Sequence, residues 1–393
     1  MTYFVLYERR FFDITKCPLC GNEDQKYFGV NNKGETYCRR CVSFIGEEAK
    51  NEIFLNSFGH LEINYELSED QKRVSDEVFK NYRNKENTLI YAVCGAGKTE
   101  LVYQTIEFVL KNGGRVGFGI PRRDVVIELS ERLKSAFKGY KVISLYGGHT
   151  SDLNGDIICL TTHQLYRYEN YFDLLILDEV DAFPFKDDFV LNAFFKRSVK
   201  GNYIIMSATP SEKLLDEYKK GNNKVVTLFK RYHSKKIPEP TLFVAPKIIC
   251  YLYLIYKVRK ILSETDFPLL VFAPTIEECE NLYTLLKIFA KQGYLVHSKR
   301  KDRAKTIQKF RDKEFRYLVT TSVLERGITL KNLQVIVFNS SSFIYTKEAL
   351  IQIAGRVGRK IGATNGEVIF IGQRKTEEMV QARATIQDAN KNL

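Results

Sequence analysis

Apolar and polar positions along the 393 residues fall into three textures. Residues 1–60 show little helical periodicity, are rich in turn-forming residues and hold four cysteines in two close pairs. From 61 to 235, apolar runs alternate with amphipathic stretches: residues 88–93 and 174–177 read as strands, and residues 100–111 as a helix with one apolar face. At 230–240, Lys-Arg-Tyr-His-Ser-Lys-Lys-Ile-Pro-Glu-Pro, charges and prolines replace periodic positions and mark a linker. A second alternating block runs from 236 to 393, with strands expected at 269–272, 317–320, 335–338 and 368–371. Strand–helix alternation predicts parallel sheets covered by helices on both faces. The expected fold class is therefore α/β, with two similar lobes, 61–235 and 236–393, behind a small module at 1–60.

The most apolar later run, residues 248–256, is far short of the ~20 residues a spanning helix needs, and Lys247 and Lys257 bracket it. It reads as a buried helix. The first residues meet Glu8, Arg9 and Arg10 before an apolar core of export-signal length accumulates, so a cytoplasmic protein is expected, with any membrane association peripheral or through a partner.

Four short stretches carry chemistry. Ala92-Val-Cys-Gly-Ala-Gly-Lys-Thr99 follows a strand and opens a helix, the setting of a phosphate-binding loop. Backbone N–H groups at Gly95, Ala96 and Gly97 can approach phosphates, Lys98 can reach the β and γ oxygens, and Thr99 can hold Mg²⁺. Ala92 replaces the usual first glycine. Asp178-Glu-Val-Asp181 leaves an apolar strand, which puts Asp178 in place to bind Mg²⁺ and Glu179 to orient and deprotonate the attacking water. Ser207-Ala208-Thr209 is the third stretch. The fourth, Gln352-Ile-Ala-Gly-Arg-Val-Gly-Arg359, spaces Arg356 and Arg359 for one helical face, from which they can stabilise charge on a γ-phosphate, with Gln352 beside them. Gln71 has an amide able to bond the N6/N7 edge of adenine, although Leu67-Ser-x-x-Gln71 is equally a good helix-capping start. ATP and Mg²⁺ are the implied cofactors.

Cys17-Pro-Leu-Cys20 and Cys38-Arg-Arg-Cys41 are two Cys-x-x-Cys knuckles separated by 17 residues, a spacing suited to one tetrahedral Zn²⁺ with four thiolates. Four protein ligands leave no open position, so this zinc would be structural. Arg39 and Arg40, with Tyr27, Phe28, Tyr37 and Phe44, suit either phosphates and bases or a protein partner. The other four cysteines are dispersed. Cys94 lies inside the phosphate loop, Cys159, Cys250 and Cys279 read as core, and a reducing compartment is expected.

The formal charge of +13 favours a polyanionic partner. Its distribution is uneven: basic and acidic residues number 8 and 8 up to residue 60, 26 and 24 from 61 to 235, and 26 and 15 beyond. Within the last third, residues 299–316 carry nine basic against three acidic residues, a cationic surface or simply a solvated helix face. His297, just before it, reads as a satisfied structural histidine.

Together these stretches resemble superfamily-2 helicases and translocases over residues 65–375, which implies two RecA-like lobes clamping ATP. The resemblance implies that Pro121, Arg122 and Arg123 and Thr161 and Thr162 hold a nucleic-acid backbone in the first lobe. It gives Thr275, Thr320 and Thr321 the same role in the second. Ser207, Ala208 and Thr209 are similar to the triplet that couples hydrolysis to strand movement. Within the superfamily, the four-cysteine module, the box Asp178-Glu-Val-Asp-Ala-Phe-Pro-Phe185 and the ending Gln-x-x-Gly-Arg-x-Gly-Arg resemble the ComFA family of DNA-uptake ATPases, related to the restart helicase PriA. That resemblance implies single-stranded DNA as substrate, with other late competence proteins and a membrane DNA channel as partners. A homo-oligomer is left open. Two rival readings stand beside it, a duplex-unwinding helicase in replication restart or repair and a zinc-stabilised DNA-binding adaptor with a vestigial motor.

Overall fold

The computed structural model describes residues 15–50, 59–180, 188–220, 223–231, 236–300, 302–321, 330–358 and 366–391. The chain divides into two compact units: Met1–Glu66 with Lys72–Ile90 and Thr99–Val226, and Leu67–Gln71 with Tyr91–Lys98 and Thr227–Leu393. Residues 92–98 of the phosphate loop and the segment Leu67–Gln71 thus group with the second unit, and Thr99 with the first.

In chain order the elements up to residue 228 are β1 (Phe28–Val30), β2 (Thr36–Cys38), β3 (His60–Leu61), α1 (Glu69–Arg83), β4 (Asn87–Ala92), α2 (Tyr103–Lys111), β5 (Val116–Ile120), α3 (Arg123–Ala136), β6 (Phe137–Lys138), β7 (Val142–Leu145), β8 (Ile157–Thr161), β9 (Phe172–Asp178), α4 (Phe189–Ser198), β10 (Val199–Ser207), α5 (Glu212–Tyr218) and β11 (Asn223–Leu228). Among the described residues a seven-stranded sheet has the order β11-β4-β10-β9-β5-β8-β7. Strands β10, β9, β5, β8 and β7 pair in parallel. β5 and β8 are buried at every position, as parallel strands covered on both faces must be. The helix expected at 100–111 begins as a 3-10 turn, Glu100–Val102, before α2 takes over.

Beyond residue 228 come β12 (Thr241–Val244), α6 (Lys247–Glu264), β13 (Leu269–Phe272), α7 (Ile276–Phe289), β14 (Gly293–Val296), α8 (Arg303–Arg311), β15 (Tyr317–Thr320), β16 (Gln334–Phe338), α9 (Lys347–Ala354), β17 (Val368–Gly372) and α10 (Glu377–Lys391). Six of these strands form a sheet of order β12-β17-β16-β13-β15-β14, parallel throughout. Two parallel-sheet RecA-like lobes behind a four-cysteine cluster are the architecture expected from the sequence.

The apolar run at 248–256 is corrected by the structure. It lies in α6, where Cys250, Leu254, Val258 and Ile261 are buried but Ile248, Leu252 and Tyr256 are 74%, 61% and 55% exposed. One helix side packs on the second sheet and the other faces outward, so the helix is not buried. No helix among the described residues is long and apolar enough to cross a membrane.

Candidate functional site: phosphate loop, carboxylate edge and cysteine cluster

The phosphate loop leaves β4 at Ala92, which is fully buried and absent from the left-handed backbone positions. Nothing there demands a glycine, which explains why alanine is tolerated. Gly95 and Gly97 do need their freedom, with φ of +84° and +77°. Lys98 follows at a half-buried position and Thr99 directly precedes the 3-10 turn at Glu100–Val102, with no side-chain capping bond to it. Gln71 realises the capping reading: its backbone N–H donates to Ser68 Oγ at 3.3 Å and its Oε1 accepts from the Ser68 N–H at 3.0 Å. Its Nε2 also donates to the Ala96 carbonyl at 2.9 Å.

On the first unit, β9 ends at Asp178 and the chain turns left-handed at Glu179, φ +61°, a conformation that strains any residue with a Cβ. Two hydrogen bonds hold that turn: the Glu179 N–H donates to Asp178 Oδ1 at 2.8 Å and to the Met206 carbonyl at 3.1 Å. Asp178 sits in register with Met206 of β10, so Ser207, Ala208 and Thr209 emerge beside the carboxylate pair. Ser207 Oγ accepts from the Thr209 N–H at 3.0 Å, fixing the turn. Asp181 lies outside the described residues.

On the second unit, α9 starts under a Thr346 cap and ends at Ala354, with Gln352 and Arg356 both buried. The helix stops before the arginines, so Arg356 lies in the turn that follows and not on a helical face. Gly355 carries the cap and Gly358 is left-handed at φ +70°. Arg359 lies outside the described residues.

Arg231, read from sequence as linker, is 2% exposed. Its Nε donates to the Cys94 carbonyl at 3.1 Å, Nη1 to Val357 and Gly358 at 2.8 and 3.0 Å, and Nη2 to Gly355 at 3.1 Å. A buried guanidinium is tolerated only when its donors are paired, and here carbonyls of the phosphate loop and of the arginine turn supply the acceptors. A lone arginine in a charge-rich stretch has no period or spacing to announce this.

The residues assigned to nucleic-acid contact are unevenly displayed. Pro121 is buried, Arg122 half-buried and Arg123 exposed at the start of α3. Thr161 and Thr162 are 7% and 1% exposed, and the Thr162 hydroxyl has no hydrogen-bond partner among the described residues. Thr275 is exposed and caps α7 by accepting from the Glu278 N–H at 3.1 Å. Thr320 is fully buried, donating its hydroxyl to the Thr321 carbonyl at 3.1 Å, and Thr321 is buried beside it. The hydroxyls of Thr162 and Thr320 thus face inward. The basic stretch is partly neutralised locally: Arg300 pairs with Asp302 at 2.7 Å and Lys309 with Glu314 at 2.9 Å. His297 is only half satisfied, its Nε2 3.3 Å from Glu280 Oε1 and its buried Nδ1 without a partner among the described residues.

The four cysteine sulfurs lie within 4.8 Å of one another, with Cys17–Cys41 at 3.6 Å and Cys20–Cys38 at 3.7 Å. Thiolates at tetrahedral corners about 2.3 Å from a zinc ion would be about 3.8 Å apart, so the donor set fits zinc in number, chemistry and spacing. The Cys41 thiol, donating to Cys17, holds Cys17 down to about 5 and is itself pushed up, while burial pushes Cys20 up to about 12. Sulfurs this close cannot all ionise unless a cation sits among them. The remaining cysteines are buried thiols, and all eight are free.

The module's aromatic and basic residues are largely spent inside the first unit. Phe44 packs edge-on to Phe194 at 4.8 Å and stacks over His163 at 6.2 Å, and Arg40 lies 3.9 Å from the Tyr27 ring and 4.7 Å from Phe189. Residues 45–49 strap the 3-10 turn Thr162–Arg167: Tyr166 Oη donates to the Ile45 carbonyl at 3.1 Å, Arg167 Nη1 to the Glu47 carbonyl at 2.7 Å, and the Ala49 N–H to the Arg167 carbonyl at 2.8 Å. The sequence alone offers Phe44 and Arg40 to phosphates and bases or to a protein partner, because nothing local signals a docking surface 120 residues away.

Comparison with known proteins shows the family and the fold. Residues 64–212 match the family model of the type III restriction enzyme res subunit, and residues 248–361 match the helicase conserved C-terminal domain. Competence protein ComFA of Bacillus subtilis is 35% identical over 95% of this chain and 85% of its own length. The chain belongs to the ComFA family. ComFA of Streptococcus pneumoniae is 34% identical over 91% of this chain and 86% of its own length. The fold is also that of S. cerevisiae Dbp5 bound to RNA and ADP BeF3, at a TM-score of 0.63, 17% identity and coverage of 83% of this chain and 92% of that one. This ComFA-family chain is an ATP-hydrolysing enzyme of the superfamily-2 helicases, a class that implies ATP and Mg²⁺.

Proposed function

We propose that this protein is an ATP-driven single-stranded DNA translocase serving DNA uptake in natural competence, acting in the cytoplasm. The observation that carries the reading is the left-handed turn at Glu179, which supplies a second carboxylate immediately after Asp178 at a strand end. Metal binding and water activation need two separate carboxylates, and a strained backbone is retained where surrounding structure over-determines it.

On this reading Gly95, Ala96, Gly97 and Lys98 hold the phosphates, and Gln71 meets adenine. Thr99 and Asp178 would hold Mg²⁺, which supplies charge neutralisation at the phosphates. Glu179 takes the proton of the attacking water. Gln352, Arg356 and Arg359 stabilise charge at the γ-phosphate, and the tie from Arg231 to both the phosphate loop and the arginine turn supports their acting together. Ser207, Ala208 and Thr209 pass the nucleotide state to segments gripping the strand: Pro121, Arg122, Arg123, Thr161 and Thr162 in one lobe, and Thr275, Thr320 and Thr321 in the other. Zinc at Cys17, Cys20, Cys38 and Cys41 would cross-link the module that straps the Thr162–Arg167 turn.

The ComFA name of the relatives supports other competence proteins and a membrane DNA channel as partners. The deciding experiment measures hydrolysis with single-stranded DNA, duplex DNA and RNA at matched salt. Single-stranded DNA should stimulate most, and Lys98→Ala should abolish turnover while strand binding persists. Equal stimulation by duplex would favour an unwinding helicase, and hydrolysis surviving Lys98→Ala would refute the site.

A further inference from the structure

Three strands of the first sheet bring their carboxyl ends to one edge. β5 and β8 are in register at Ile120 and Thr161, and β7 and β8 at Leu145 and Leu160, all parallel. The chain after each therefore emerges on the same side: Arg123 after β5, Tyr146 after β7, and the Thr162–Arg167 turn after β8.

The loop after β7 is built around two rings. Tyr146 and His149 stack with centroids 4.9 Å apart and planes 20° apart, and the Arg123 guanidinium lies 4.6 Å from the Tyr146 centroid. Reciprocal backbone bonds pin the pair, the Tyr146 N–H donating to the His149 carbonyl at 3.3 Å and the His149 N–H to the Tyr146 carbonyl at 2.8 Å. Gly148, at φ +82°, permits so tight a reversal.

This stack contributes little to the core. Tyr146 is half-buried, His149 is exposed, and a Cβ added at Gly147 or Gly148 would meet nothing within 4 Å. An exposed imidazole held flat against a tyrosine, with a guanidinium on the same ring and open space alongside, has the form of a platform for a flat π system.

We propose that Arg123, Tyr146 and His149 form a stacking step for an unpaired base of single-stranded DNA, a reading that rests on the translocase assignment. Contacts to phosphates alone position a strand, whereas a stacked base resists slippage and remains indifferent to sequence. The step lies on the same sheet edge as the Thr162–Arg167 turn, so the two can engage successive parts of one strand.

The test compares binding of the full-length, zinc-loaded protein to a fluorescent oligothymidine and to a strand of equal length with abasic sites throughout, at matched salt. Wild type should prefer the base-bearing strand by about tenfold, the scale of one aromatic stack. His149→Ala and Tyr146→Ala should lose most of that preference, and His149→Phe should retain it. Thermal midpoints identify any unfolded variant, and His149→Ala alters only an exposed loop. A wild-type protein that binds both strands equally, or alanine variants that keep the full preference, would overturn the stacking step while leaving the translocase reading intact. Failure of wild type to bind either strand would overturn both.

Discussion

Arg231 donates to the carbonyl of Cys94 at 3.1 Å while its remaining nitrogens hold the carbonyls of Gly355, Val357 and Gly358. One side chain from a segment with no periodic pattern ties the phosphate loop to the turn carrying Arg356. Arg231→Ala strips those carbonyls of their donor, at a cost of about 3 kcal/mol, and should lower hydrolysis about tenfold or more. Arg231→Lys keeps the charge but not the planar fork, so it should recover only part of the loss. Thermal melts and steady-state hydrolysis measure both effects.

Glu179 combines a chemical role with a strained backbone. Glu179→Gln should retain ATP binding and lose about a hundredfold or more in single-turnover hydrolysis. Glu179→Gly should be equally inactive yet no less stable, because glycine relieves about 1 kcal/mol of left-handed strain. A glycine variant that melts well below wild type would show that the carboxylate is structural.

The cysteine module straps the Thr162–Arg167 turn through residues 44–49. Chelation of zinc should raise amide exchange at 162–167 about tenfold or more and leave the second unit's core strands β13 and β16 protected. A Cβ at Gly46 would lie 2.6 Å from both Arg167 Nη1 and Tyr166 Oη. Gly46→Ala should therefore loosen the same turn with zinc content unchanged, as read by exchange and by metal release on thiol modification.

α6 offers a paired check on its amphipathic placement. Leu254 is fully buried and Leu252 is 61% exposed. Leu254→Ala should cost about 3 kcal/mol and Leu252→Ser less than about 0.5 kcal/mol in denaturant titrations. Equal costs would contradict the orientation of the helix.

Features governed by a few neighbouring residues are legible in the sequence. The fully buried strands β13 and β15 match the expected runs, and the glycines Gly95 and Gly97 of the expected phosphate loop take left-handed angles. The two cysteine knuckles converge as their spacing implied. Parallel strands covered on both faces must be apolar throughout, and a phosphate loop needs glycine where φ is positive, so each requirement is written locally.

Tertiary structure alone decided what depended on distant partners. A run of apolar residues in α6 does not say which side a sheet will cover, and Phe44 shows nothing of the His163 and Phe194 rings it meets. Arg231 became a buried tie instead of linker because carbonyls over 120 residues away accept its protons. Burial and hydrogen-bond satisfaction are set by which segments come together in space, and residues far apart in the chain leave no periodic trace of that meeting.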